Sequence, residues 1–94
     1  MREIDMTPYE EYFTKLERLY FERNARMNIV AYMADRQFSD DQYNRVFNDY
    51  VISLKTYENY ISIFEQNVVI PACNNELVHW KADFERRVLY VTSL

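Results

Sequence analysis

A chain of 94 residues with 49% hydrophobic and 28% charged residues has the composition of one folded domain and not of a disordered segment. Its net charge of −4 argues against a surface built for nucleic-acid phosphates, yet is too small to imitate DNA. Glycine is absent, which excludes Gly-rich nucleotide-binding loops and makes tight β-hairpins hard to build.

Residues 1–6 read as a short charged arm, with acids where a signal peptide needs an apolar run. Helix 1 then starts clearly. Thr7 is a good N-cap, Pro8 suits the first helical position, and Glu10 completes a capping box. Tyr9, Tyr12, Phe13, Leu16, Leu19, Tyr20, Met27, Val30 and Met33 follow at steps of three and four, so a helix is predicted over about 8–34. A second box, Ser39 with Gln42, opens helix 2, and Asp40 and Asp41 suit its positive end.

Helix 2 is predicted over about 40–68 and carries the strongest pattern in the chain. Tyr43, Phe47, Tyr50, Leu54, Tyr57, Ile61, Phe64 and Val68 alternate steps of four and three without a break. That is a heptad seam for a neighbour packed at a shallow angle. A residue before proline avoids the helical region, so the helix is expected to end ahead of Ile70-Pro71. The short link at 36–38 makes the two helices antiparallel. In the last third, Leu77, Trp80, Lys81, Phe84, Val88 and Val91 fall at helical spacing and predict a third helix over about 75–90, although Val88 to Thr92 has strand-like composition. The expected fold is therefore all-α: a long antiparallel helical hairpin with a shorter third helix, forming a three-helix bundle or a coiled-coil-like assembly.

Such a bundle needs one apolar stripe per helix. This chain has more, with Phe21, Ile29 and Tyr32 beyond the main face of helix 1 and Val46, Val51, Ile52, Tyr60 and Ile63 beyond the seam of helix 2. Much of the surplus is aromatic, with nine Tyr and six Phe, and Tyr and Arg are enriched at interfaces. The reading is a non-enzymatic protein–protein interaction module whose partner is another protein or a second copy of itself. Arg23, Tyr50, Tyr57 and Tyr60 are its candidate contact or seam residues. Arg23 falls on the Leu16–Tyr20–Met27 ridge, where it requires a carboxylate or stacked rings if buried, or else lays its stem on the core with its head in water.

Two alternatives belong to other classes. One is a small inhibitor that occludes a larger enzyme, as phage or mobile-element accessory proteins do. The other is a metal-binding bundle: Glu76 and His79 match the Glu-x-x-His pair of di-metal helical bundles, and a homodimer would supply the second copy. Against this stands a surface Glu at a helix start and a single partly buried His. Cys73 with His79 lacks the third orienting group of a thiol nucleophile and reads as a packing residue. No catalytic residue, cofactor or small-molecule substrate is inferred. A lone cysteine and apolar runs of no more than six residues, Val68-Val69-Ile70 among the shorter ones, fit a reducing cytoplasm and no membrane contact.

Overall fold

The computed structural model describes residues 1–94. Its elements in chain order are β1 (Arg2–Asp5), α1 (Glu10–Ala34), α2 (Asp40–Phe64), β2 (Val78–Asp83) and β3 (Val88–Ser93). The helices form an antiparallel hairpin, and the strands form an antiparallel sheet in the order β1-β3-β2.

A local signal opens each helix. Ser39 Oγ accepts from the Gln42 N–H and the Gln42 side chain accepts from the Ser39 N–H, both at 3.2 Å. At α1 the cap is different from the one the spacing predicts. Thr7 makes no capping bond. Instead its N–H and hydroxyl both donate to Asp5 Oδ1, at 2.9 and 2.8 Å, and a 3₁₀ turn, Thr7–Tyr9, leads into the helix. That Asp5 turn joins the end of β1 to α1. α2 does not stop before proline either. It widens into a π-helical stretch, Glu65–Val69, then closes with one α turn, Ile70–Ala72, through Pro71. The proline ring and its missing N–H disrupt a regular i→i−4 ladder. The wider π register, with the Ile70 N–H donating to the Glu65 carbonyl, offers the chain a route past that clash.

The all-α expectation is overturned at both ends. The charged arm is strand β1, and the third helix over 75–90 does not exist: its residues form the β2–β3 hairpin. Helical spacing at Leu77, Trp80 and Phe84 competes there with a period of two. Val78, Trp80 and Ala82 turn to the helices while His79 and Lys81 stay exposed, and on β3 Leu89 and Val91 are buried. A short apolar run satisfies either period, and burial against the hairpin selects the strand. Missing glycine does not prevent this. Asn74 and Asn75, at φ of 53° and 64°, turn the chain into β2, and Arg87, at φ 56°, closes the four-residue connection between β2 and β3. Asn tolerates the left-handed region better than most residues. Arg87 is held in it by tertiary contacts: its guanidinium lies over the Phe13 ring at 5.2 Å and donates to Thr14 Oγ1 at 2.9 Å.

The core lies at one end. Eleven buried side chains, among them Met6, Phe13, Leu16, Phe64, Val68, Leu89 and Val91, cluster where the sheet covers the base of the hairpin. Beyond them only Met33 and Ser53 are buried. The molecule, 51 × 25 × 22 Å, is a sheet-capped head from which the two helices continue as a bare arm.

Candidate functional site

The sheet lies across the base of the hairpin with β2 as the edge nearest the arm. Arg87, at the end bordering β3, touches Phe13 and Thr14, whereas Phe84, next to β2, meets Phe13 as well and reaches on to Tyr20 and Phe21 one to two turns further along α1. Ahead of β2 a cleft of about 540 Å³ opens between strand and helices. Its floor is Leu16 and Tyr20 of α1 with Tyr57 and Ile61 of α2, and its wall is β2 itself. Trp80 sits on the Phe64 ring at 5.3 Å, and its indole N–H donates to Glu65 Oε1 at 3.0 Å, pinning the strand to the π-helical stretch.

The hydrogen-bond phase of β2 follows from two bonds. The Leu94 N–H donates to the Leu77 carbonyl, and on the other side of β3 the Met6 N–H donates to the Arg87 carbonyl. Antiparallel pairs alternate between bonded and non-bonded, so His79, Lys81 and Asp83 pair with β3. The N–H and C=O groups of Val78, Trp80 and Ala82 face the cleft with no strand beside them. Three-stranded sheets with an open edge of this kind are templates for another strand.

Arg23 lies at the arm side of the cleft. Its guanidinium stacks over the rings of Tyr20 and Tyr57, at 5.4 and 5.2 Å. No carboxylate pairs with it, and its Nε is buried without a hydrogen-bond partner. Arg23 is half-buried, and of the two alternatives its position allows, a carboxylate or stacked rings, the rings are present. Burial holds the Tyr57 hydroxyl above its ordinary pKa, the Arg23 charge opposes this, and Tyr20 adds to it.

The other residues singled out from sequence scatter. Tyr50 is half-buried on the arm, in a run of rings with Phe47 and Tyr43. Tyr60 is a core residue, 7% exposed, its hydroxyl directed at the Tyr12 carbonyl at 3.4 Å, so substitution there tests the fold and not a contact surface. Glu76 and His79 do not share a helix face, because no helix forms. Glu76 lies in the loop before β2, paired with Arg2 at 3.5 Å and accepting from Ser93 Oγ at 2.7 Å, while His79 is exposed on the outer face of the sheet. No three His, Cys, Asp or Glu side chains converge to hold a metal ion. Cys73 is buried in the core, on the opposite side of the sheet from His79. The β2 edge went unnoticed in the sequence because a helix was expected there. The alternation from Val78 to Asp83 is the signal that identifies it.

No family model matches the chain, and no curated protein or solved structure matches it. No helix is long and apolar enough to cross a membrane.

Proposed function

We propose that this chain is a protein-interaction module whose packed head supports an arm that binds, together with the cleft at its root. The observation that carries this reading is the bare arm. Phe21, Met27, Ile29 and Tyr32 on α1 and Phe47 and Ile52 on α2 are exposed, while the head is packed. Scattered apolar side chains are ordinary on a protein surface, but a helical hairpin with only Met33 and Ser53 buried beyond the head gains little by keeping so many rings. Contact with another polypeptide buries them and recovers part of that free energy.

The test is absolute mass in solution over a range of concentrations, together with capture from native extract, for the wild-type chain and for an Ile52→Lys/Tyr32→Glu variant. Both positions are more than half exposed, so circular dichroism and melting temperature stay as in the wild type. The expected result is self-association or partner capture by the wild type and its loss in the variant. A wild-type chain that stays monomeric and captures nothing, or a variant that binds equally well, removes the reading.

A further inference from the structure

We infer that the open edge of β2 receives an extended, acidic peptide segment, which adds as a fourth strand and lays alternate apolar side chains into the cleft beneath it. This rests on the interaction reading and names the chemistry of the ligand. Three observations converge on it.

The first is backbone. Val78, Trp80 and Ala82 present a row of unpaired N–H and C=O groups along the cleft, and only another extended backbone matches that row. The second is shape. The cleft floor, Leu16, Tyr20, Tyr57 and Ile61, lies beside β2 at the level of the sheet's inner face, so every second side chain of an added strand points into it. The third is charge. Although the whole chain is acidic, two cations without a carboxylate partner border the cleft: Lys81 is exposed on the outer face of β2, and Arg23 stands at the arm side. The one acid of the lining, Glu65, keeps its charge and is held by the Trp80 indole at the base of the cleft, away from the arm side where Arg23 stands. Opposite charges on facing strands attract, so a strand carrying carboxylates opposite Lys81, or reaching Arg23, is favoured over a basic one.

Geometry excludes a second copy as the strand donor through its own β2. A two-fold antiparallel pairing of two β2 edges puts both hairpins on the same side of the joined sheet. Each arm then projects past its own edge into the space beneath the other sheet, which the other hairpin fills. The added strand must come without a helical layer of its own, as a flexible segment or an isolated peptide does.

The probe is the synthetic peptide acetyl-Val-Glu-Val-Glu-Val-Glu-Val-amide, compared with its Val-Lys counterpart, on the full chain by NMR. The acidic peptide is expected to shift and protect the amides of Val78, Trp80 and Ala82 and to bind about tenfold more tightly than the lysine peptide. Ala82→Pro removes one outward N–H while leaving the β3 ladder intact, and is expected to weaken binding about tenfold. Lys81→Glu, at an exposed position that keeps the fold, is expected to reverse the preference toward the lysine peptide. Equal binding of the two peptides, no binding of either, or shifts confined to the far end of the arm overturns the inference. So does protection of the three amides in peptide-free protein at twice the monomer mass. Partner capture that Ile52→Lys/Tyr32→Glu abolishes and Ala82→Pro leaves intact keeps the interaction reading and overturns this one.

Discussion

At the scale of single residues, three side chains do the work that glycine does elsewhere. Asn74, Asn75 and Arg87 hold positive φ. Asn75 is the cleanest case. It is exposed, and its backbone N–H donates to the Ile70 carbonyl at 2.9 Å, ending the helical region one turn before β2. Alanine there loses the tolerance of asparagine for left-handed backbone, and glycine restores it without a side chain. Asn75→Ala is therefore expected to lower unfolding free energy by about 1 kcal/mol, and Asn75→Gly to leave it level or raise it slightly, as read from urea midpoints at constant slope. Arg87 is not equivalent, because glycine there loses the contacts with Phe13 and Thr14. The absence of glycine was legible in the sequence; that other residues take its place was not, because an αL residue is selected by what holds it and not by its identity alone.

At the scale of elements, the two helices were legible and the hairpin was not. Helical periodicity over seven or more turns has no competing explanation, and the Ser39–Gln42 box marks one start outright. The β2–β3 hairpin is shorter, and its closing turn depends on a carboxylate. Asp83 Oδ1 accepts from the Arg86 N–H at 3.0 Å and Oδ2 accepts from the Tyr90 hydroxyl at 3.1 Å. The backbone bond from Arg86 foremost holds the Asp83 carboxyl below its ordinary value of 3.8. Because the folded carboxyl binds its proton more weakly than the unfolded one, its contribution is complete above 3.8 and is lost as pH falls through the lower folded value. Below pH 3.8 the amides of the 84–87 turn are expected to exchange faster in the wild type, and in Asp83→Asn that acid-induced step is expected to be absent. An unchanged step in the variant assigns it to another carboxyl.

At the scale of the whole molecule, stability is concentrated at one end. Eleven of the thirteen buried side chains form the head cluster, which the helices share with β3 and against which half-buried side chains of β1 and β2 pack. Local opening follows buried contacts. Native-state hydrogen exchange is expected to show the slowest amides in α1 around Phe13 and Leu16, in α2 around Phe64, and in β3, with the loop end of the arm opening at a small fraction of the global free energy. Uniform protection along both helices would place the arm within the cooperative core. The proposed binding site lies at the root of this arm, beside an open strand edge, where local opening leaves the head intact.

By itself the sequence determined the helical hairpin, its direction and the start of its second helix, because those depend on local caps and on a period that extends over many turns. It also carries more apolar and aromatic side chains than one stripe per helix of a small bundle needs. Only the tertiary structure decided the rest: that residues 78–93 pair as strands, that residues 2–5 join them, and that Arg23 finds rings and no anion. A six-residue run of mixed apolar and charged residues is compatible with either period, and the choice belongs to the surface it packs on. The candidate site arises the same way, from a strand edge and two helices brought side by side by a core that no local pattern encodes.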